Sequence, residues 1–332
     1  MNAYFIPKMK YKIINNIQLL RALAAINVII FHTIGTSTLY DLDTNFLSYF
    51  EGWGKNGVDL FFVISGFVIY HSHQNKKLEF KEFIKARFIR IIPAYYILTT
   101  VFVLLVLILP SLFKSFSLGA DHLVSSYLFV SNLFLDKNPV LYLGWTLEWE
   151  IFFYFLFAFS IFLKNENLKI FFLITTIFLA TIIFSSSLIG LEFILGILIA
   201  KIYHTDIKVK NPQLLLIVGL ILLSASIFVN LNIDRFFTWG IPCSLIVCAC
   251  LYIKQTSNKL LIYLGNASYS IYLIQVFTIP AFYKIVLMTK LPITNDILAF
   301  FCIVGTVVVG STFYILIEKP SHTYFKGLLR RK

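Results

Sequence analysis

Residues 15–36 read NNIQLLRALAAINVIIFHTIGT, which is apolar over most of its length and carries two ionisable side chains, Arg21 and His32. An α-helix needs about 20 predominantly apolar residues to cross the hydrocarbon core of a bilayer, and this stretch is long enough. Comparable apolar stretches recur along the rest of the chain. Because a bilayer offers the backbone no hydrogen-bond partners, a series of such stretches predicts membrane-spanning helices.

The composition agrees with a membrane protein. Of the 332 residues, 59% are hydrophobic, only 13% are charged and 35 are Phe, and the mean hydropathy is +0.84. A soluble domain normally has about a quarter of its residues charged, so a water-soluble globular protein is excluded. The fold class predicted is therefore all-α, a polytopic membrane protein.

The apolar stretches predict about ten transmembrane helices in a single domain over residues 1–332. The predicted spans are 15–36, 57–74, 88–110, 141–163, 168–184, 188–203, 212–230, 236–253, 262–283 and 295–317. Two further stretches are predicted to lie at the membrane surface. Residues 76–90 alternate basic and apolar side chains, which favours an amphipathic helix on the inner leaflet. Residues 121–136 are apolar but short, as in a re-entrant or interfacial segment.

The net charge of +12 is distributed unevenly along the chain. Of the 28 Lys and Arg residues, 21 fall in alternate connections starting with the N-terminus, and only six fall in the opposite connections. Basic loops stay in the cytoplasm, so both termini are predicted to be cytoplasmic, with the protein in the bacterial inner membrane. This pattern argues for the bilayer rather than a nucleic acid as partner. The four cysteines show no spacing typical of a metal site, and no metal is predicted.

Six ionisable side chains fall within the apolar spans, where insertion of each charge costs about 2.5–3.5 kcal/mol. They are Arg21, His32, Asp59, Glu148, Glu150 and Glu192. The topology places the histidine and the four carboxylates in the outer third of the membrane and the arginines at the inner side. A charge in this position marks a functional site unless it has a structural explanation.

Arg21 and His32 are eleven residues apart, so on a helix they share one face and are separated by roughly 16 Å along the axis. An arginine at the inner end of a cavity and a histidine one pantetheine length further out suit an acyl-coenzyme A. A guanidinium binds phosphate in two-point fashion, and an imidazole at the thioester would act as base. The structural alternatives are that Arg21 snorkels to the inner headgroups and that His32 is an interfacial residue.

The carboxylates also have alternative explanations. Asp59 lies at the start of its span, where it would cap the helix, and Glu148 lies near the interface, where it would be solvated. Glu148 and Glu150 are about 200° apart around a helix, so only one of them faces a given cavity. Glu150 lies deeper and has the weakest structural explanation. Glu192 is expected to be paired or to face the cavity, with no partner identified.

Six segments of the chain resemble the acyltransferase type 3 family, membrane enzymes that acylate carbohydrates. The segments are LLRALAAINVIIFH (19–32), GVDLFFVISGFVIY (57–70), KARFIRIIPAYY (85–96), GWTLEWEIFFY (144–154), EFILGILIA (192–200) and LGNASYSIYLIQ (264–275). The resemblance covers essentially the whole chain in the family's order and implies ten spans around a central cavity. The chain resembles the stand-alone members that modify O-antigens, capsules and exopolysaccharides. One departure is Gln275, where many members have a histidine.

The resemblance implies an O-acyltransferase that uses acyl-CoA, with acetyl-CoA as the default donor, and acylates a surface polysaccharide or its lipid-linked precursor. We expect catalytic roles for His32 as general base and for Asp59 or Glu150 as the carboxylate that orients its imidazole. The remaining site residues expected are Arg21, Arg87 and Arg90 for the donor, and Trp145, Tyr154 and Ser65 for the substrate. Direct transfer and an acyl-His32 intermediate both fit the sequence.

A different class of function is a transporter or flippase of a lipid-linked glycan, which would also have many spans with buried charges. Such a protein does not require a histidine and carboxylates together, nor an arginine and a histidine on one helix face. A glycan polymerase or glycosyltransferase would need large soluble loops or acidic metal motifs. The sequence therefore favours the acyltransferase.

Overall fold

The structure is a computed structural model that describes residues 14–113, 118–184, 187–205, 207, 209–229, 232–289 and 293–330. Over this part of the chain the protein is helical and contains no β-strand. The first helices are α1 (Asn15–Leu39), α2 (Asn56–Lys76), α3 (Phe80–Ile108), α4 (Ala120–Leu128), α5 (Ser131–Leu135), α6 (Gly144–Ser160) and α7 (Glu166–Phe184). The remaining helices are α8 (Leu191–Tyr203), α9 (Pro212–Phe228), α10 (Ile241–Tyr252), α11 (Lys259–Thr289), α12 (Asn295–Phe313) and α13 (Lys319–Arg330). One π-helical turn, Phe236–Gly240, precedes α10, and another, Tyr314–Glu318, joins α12 to α13.

The prediction of an all-α membrane protein is confirmed. Five helices are long and apolar enough to cross a membrane, namely Asn15–Leu39, Phe80–Ile108, Glu166–Phe184, Lys259–Thr289 and Asn295–Gly327. Two further apolar helices, Pro212–Phe228 and Phe236–Tyr252, are shorter. The total of ten spans and the cytoplasmic termini stay predictions. Of the residues that entered these predictions, Lys8, Lys10, Lys12, Lys114, Lys208, residue 230, Lys290, Arg331 and Lys332 lie outside the described ranges.

The prediction of a separate amphipathic surface helix at residues 76–90 is wrong. Helix α2 ends at Lys76, the next residue Lys77 has φ +46°, and residues 80–90 are the first three turns of the continuous helix α3. Phe83 in this stretch is 1% exposed and stacks on Phe157 of α6 with ring centroids 5.2 Å apart. The apolar face of this segment is therefore buried against another helix, while Lys81 and Lys85 stay exposed and Arg87 is buried.

Two close helix pairs fix the centre of the fold. Helix α2 packs parallel to α8, with Phe62 stacked on Phe193 near their first turns and His71 beside His204 near their ends; a Cβ added at Gly66 or Gly196 would lie 2.0–2.1 Å from a carbonyl oxygen of the other helix. Helix α1 runs parallel to α11, and Tyr40 stacks on Tyr283 near their C-terminal ends with centroids 6.0 Å apart. The glycines at positions 66 and 196 allow the backbones of α2 and α8 to approach closely, as is common between membrane helices.

Candidate functional site

A cavity of about 160 Å³ lies between α1, α2, α3, α6 and α11. Its polar lining includes Gln18, Arg21, Ser65, Arg87, Arg90, Thr146, Glu150, Tyr154, Ser268, Tyr269 and Tyr272. Six of the nine site residues expected from the sequence therefore meet in one place: all three arginines, with Ser65, Glu150 and Tyr154. They come from four helices, and each lies in one of the segments that resemble the family.

The three guanidinium groups at this cavity are not neutralised by direct ion pairs. Among the residues that the structure describes, none of the three forms a salt bridge with a carboxylate. Arg21 donates a hydrogen bond to Gln18 Oε1 at 3.3 Å. Arg87 is 8% exposed, its Nε has no hydrogen-bond partner within the described ranges, and its guanidinium lies 5.3 Å from the Phe83 ring centroid. Buried donors without acceptors are costly, which is the state expected of an anion site.

Glu150 is the carboxylate that lines this cavity with the arginines. It accepts a hydrogen bond from Ser65 Oγ at 2.8 Å and another from Tyr154 Oη. These two hydroxyls fix the carboxylate in the middle of the cavity wall. Glu150 therefore balances part of the charge of the three guanidinium groups, rather than standing beside His32.

A second acidic residue near the arginines, Glu318, was missed by the sequence reasoning. It ends the π-helical turn Tyr314–Glu318 and accepts a hydrogen bond from Ser270 Oγ. The charges of Arg21 and Arg90 act on its carboxylate. The predicted last span ended one residue before Glu318, so this residue was not counted among the charges in apolar spans.

His32 lies away from the arginine cavity, toward the C-terminal end of α1. Its imidazole packs edge-on against Tyr142 with centroids 5.2 Å apart, and the Tyr142 Oη is 3.4 Å from His32 Nδ1. The charge of Lys55 also acts on the imidazole, and the Lys55 Nζ lies 4.9 Å from the ring centroid of the adjacent residue Phe31. Eleven residues of helix separate His32 from Arg21, so the two groups are about 16 Å apart along the axis. No sequence pattern singled out Tyr142.

Asp59 does not join His32, so the expected orienting contact is not formed in this structure. The Asp59 carboxylate is 0% exposed and forms a two-point ion pair with Arg235, at 3.0 Å from Nε to Oδ1 and 2.6 Å from Nη2 to Oδ2. The physical reason is the position along α1 at which α2 begins. Asn56, its first residue, hydrogen-bonds Asn27 at 2.8 Å, and α2 then runs antiparallel to α1, away from the level of His32.

Glu192, for which we predicted no partner from the sequence, lies beside the Asp59–Arg235 pair. It is 0% exposed, and a Cβ added at Gly240 would lie 2.8 Å from its Oε1. The charges of Asp59 and Arg235 both act on its carboxylate. Among the described residues neither oxygen of Glu192 has a hydrogen-bond partner, whereas both oxygens of Asp59 bind Arg235, so Glu192 lies next to the ion pair without joining it.

Glu148 is neither solvated nor part of the cavity. It is 1% exposed, and its carboxylate accepts the backbone N–H groups of Ser131, Asn132 and Leu133 at 3.0, 2.8 and 3.0 Å. These are the first residues of α5, whose unpaired N–H groups need acceptors. The expectation that Glu148 would be solvated is wrong, whereas Glu148 and Glu150 do lie on opposite faces of α6.

Two other predicted or noted residues lie outside the cavity lining. Trp145 is half-buried and packs against the apolar core. Gln275 is 0% exposed and donates from Nε2 to the Tyr272 carbonyl oxygen at 2.8 Å. Within the described ranges, no group of three or more His, Cys, Asp or Glu side chains is placed to hold a metal ion.

A family model described as an acyltransferase domain matches residues 14–316, which is most of the chain. The protein belongs to the acyltransferase type 3 family. Exopolysaccharide production protein ExoZ of Rhizobium meliloti is 31% identical over 295 residues, which cover 80% of this chain and 89% of ExoZ. Peptidoglycan O-acetyltransferase OatA of Listeria monocytogenes is 33% identical over 179 residues, covering 47% of this chain and 26% of that relative. O-acetyltransferase OatA of Staphylococcus aureus is 31% identical over 207 residues, covering 58% and 32%.

No solved structure matches the chain. The family membership makes the protein a membrane-bound O-acyltransferase, and the prediction of an enzyme rather than a transporter or flippase is confirmed at that level. The cavity residues Arg21, Ser65, Arg87, Arg90 and Glu150 all lie within the matched region.

Proposed function

We propose that this acyltransferase moves an acyl group, acetyl by default, from acyl-CoA to a hydroxyl of an exopolysaccharide or its lipid-linked precursor. The observation that carries the proposal is the cavity in which Arg21, Arg87 and Arg90 meet without a direct carboxylate partner. Guanidinium groups bind phosphate in two-point fashion, and acyl-CoA carries several phosphates. The similarity to ExoZ, an exopolysaccharide production protein, supports the class of acceptor.

The proposed topology has ten spans in the bacterial inner membrane with both termini in the cytoplasm. The excess of Lys and Arg in alternate connections supports it. In this orientation α1 starts at the inner side, so Arg21 lies nearer the cytoplasm and His32 nearer the outer surface. The donor, which is made in the cytoplasm, then meets the arginines first.

The donor would extend along α1, with its phosphates at the arginine cavity and its thioester near His32. The separation of about 16 Å between Arg21 and His32 is close to the length of a pantetheine arm. The cavity ends at Thr146 and Tyr272, whose hydroxyl oxygens are 2.8 Å apart. Tyr142, the neighbour of His32, lies four residues before Thr146, so we propose that the donor passes this hydroxyl pair on its way to His32.

In the proposed reaction His32 acts as general base. If its Nδ1–H donates to the Tyr142 oxygen, Nε2 is left to accept the proton of the sugar hydroxyl. The sugar oxygen then bonds to the thioester carbonyl carbon, the carbon–sulfur bond breaks, and the coenzyme A sulfur takes the proton from His32. Tyr142 thereby takes the orienting role first expected of Asp59 or Glu150, and those two carboxylates act elsewhere.

The test is the variant His32→Ala, measured as acyl groups per unit of polysaccharide in cells with matched protein levels. Removal of a general base lowers the rate by a factor of about 10²–10⁴, so acylation is expected to fall below detection. The control His322→Ala removes a half-buried histidine of α13 that is outside the cavity lining and should retain acylation. Near-normal acylation in His32→Ala would refute the role of this residue as base.

A further inference from the structure

A second cavity, of about 460 Å³, lies between the start of α11 and the π-helical turn Tyr314–Glu318. It is lined by Lys259, Ile262, Tyr263, Asn266, Tyr314, Ile315 and Lys319. The Tyr263 ring packs edge-on against Tyr314 with centroids 6.0 Å apart, and its Oη donates to the Ser311 carbonyl oxygen at 3.1 Å. The floor of this cavity is therefore built from two tyrosines held by α12, and nothing in the proposed reaction uses it.

The polar lining of the second cavity is cationic. Lys259 and Lys319 are both exposed, and Asn266, also exposed, adds an amide donor. None of the seven lining residues is acidic. Because a lysine carries three donors and no acceptor, the two ammonium groups with this amide fit an anion that accepts several hydrogen bonds, such as a phosphate.

The surroundings of the second cavity are apolar and open outward. Leu260 beside Lys259 is 62% exposed, and Ile315 and Leu316 before Lys319 are 51% and 67% exposed. In a membrane protein, such side chains on membrane helices face lipid. The two lysines lie next to exposed apolar side chains. This combination suits an amphiphile with an anionic headgroup better than a free ion.

We propose that this second cavity binds the phosphate headgroup of an anionic phospholipid in the inner leaflet. Both lysines lie in connections that carry the excess of basic residues, which is the side on which basic pockets between helices bind anionic headgroups. The acyl chains lie along Leu260, Ile315 and Leu316. The inference goes beyond the proposed function and holds whether or not His32 is the base.

The position of the cavity links the lipid to the arginine site. Tyr314 and Glu318 begin and end the same π-helical turn. Tyr314 lines the lipid cavity, whereas Glu318 lies in the field of Arg21 and Arg90. A headgroup held at Lys259 and Lys319 braces this turn and so holds Glu318 in place.

The test compares full-length wild-type protein with Lys259→Gln/Lys319→Gln in nanodiscs of phosphatidylcholine, with and without phosphatidylglycerol. Bound lipid is counted by native mass spectrometry, and thermal unfolding is followed in the same samples. Each lysine near a membrane surface contributes about a fivefold gain in affinity for anionic lipid. We expect phosphatidylglycerol to bind to the wild type and raise its Tm, and the double variant to lose most of both effects.

Two controls make the outcome decisive. Lys254→Gln/Lys326→Gln removes two exposed lysines from neighbouring segments outside the cavity and should behave as wild type. Lys259→Arg/Lys319→Arg keeps both charges and should retain binding. Equal phosphatidylglycerol binding by wild type and Lys259→Gln/Lys319→Gln would overturn the proposal. A Tm rise of the same size with inorganic phosphate alone would also overturn it, since the site would then bind a free anion rather than lipid.

Discussion

Two glutamates of α6 that lie two residues apart are expected to fail in different ways when each is replaced by Gln. Glu150 lines the arginine cavity, where it accepts hydrogen bonds from the hydroxyls of Ser65 and Tyr154. Glu148 lies on the opposite face and accepts three backbone N–H groups at the start of α5. The matched change Glu→Gln preserves size and shape at both sites, so differences between the variants report on charge and acceptors.

The magnitudes follow from the number of acceptors that are lost. In Glu148→Gln the single amide oxygen can still accept from the two N–H groups that share Oε2, but the amide NH₂ then faces the Ser131 N–H. Loss of one charge-assisted bond and the unsatisfied donor together destabilise the fold by about 2–4 kcal/mol. In Glu150→Gln one amide oxygen can serve both hydroxyls, so stability changes by less than about 1 kcal/mol. The lost charge, however, leaves three guanidinium groups lining the cavity with no carboxylate among the lining residues.

The assay measures thermal unfolding of detergent-purified variants and, separately, acylation in cells normalised to the amount of folded protein. Glu148→Gln should unfold at a clearly lower temperature and keep near-normal activity per folded molecule. Glu150→Gln should unfold like the wild type and lose activity by a factor of about ten or more, as expected when preorganised charge at a site is removed. A stable, inactive Glu148→Gln together with an active Glu150→Gln would show that the cavity is not the site.

Three further outcomes are expected. Arg21→Lys should weaken binding of coenzyme A to the purified protein, since an ammonium cannot replace a two-point guanidinium contact; equal affinity would mean that Arg21 only snorkels. Asp59→Asn should lower the unfolding free energy by about 3 kcal/mol because it leaves Arg235 without its buried partner, while Glu192→Gln should cost much less because the Glu192 carboxylate makes no hydrogen bond among the described residues; equal losses would show that Glu192 supports the ion pair as much as Asp59 does. Reporter fusions at Lys332 should be cytoplasmic, and an external signal would reverse the proposed direction of donor loading.

The parts of the fold that depend on local hydrophobicity could be predicted from the sequence. The first predicted span, 15–36, is the helix Asn15–Leu39, and the fifth, 168–184, is the helix Glu166–Phe184. The wrong prediction at residues 76–90 also comes from relying on local hydrophobicity. An apolar face interleaved with basic residues fits a leaflet and a protein interior equally well, and only the packing of Phe83 on Phe157 decides between them.

The residues of the arginine cavity could also be predicted from the sequence, because they lie in separate segments that resemble the family. Arg21, Ser65, Arg87 and Glu150 converge in the structure even though each comes from a different helix, α1, α2, α3 and α6. The partners of these groups were not predictable in the same way. Arg235 comes from a connection 176 residues after Asp59, and no periodicity within either segment links the two.

The separation between Glu150 and His32 changes how charge is distributed along the proposed path of the donor. Depth counted along each helix placed the four carboxylates together with His32, but depth gives no information on which face of a helix meets which neighbour. In the structure the negative charges of Glu150 and Glu318 lie at the arginine end, while His32 contacts Tyr142 and the charge of Lys55 acts on its imidazole. The phosphate end therefore keeps a positive excess that favours a polyanion, partly balanced by two carboxylates that limit mutual repulsion of the arginines. At the His32 end a neutral phenol, rather than a carboxylate, contacts the imidazole, so the proton transfer that we propose there would depend on the hydroxyl of Tyr142 and on the connection before α6 that carries it.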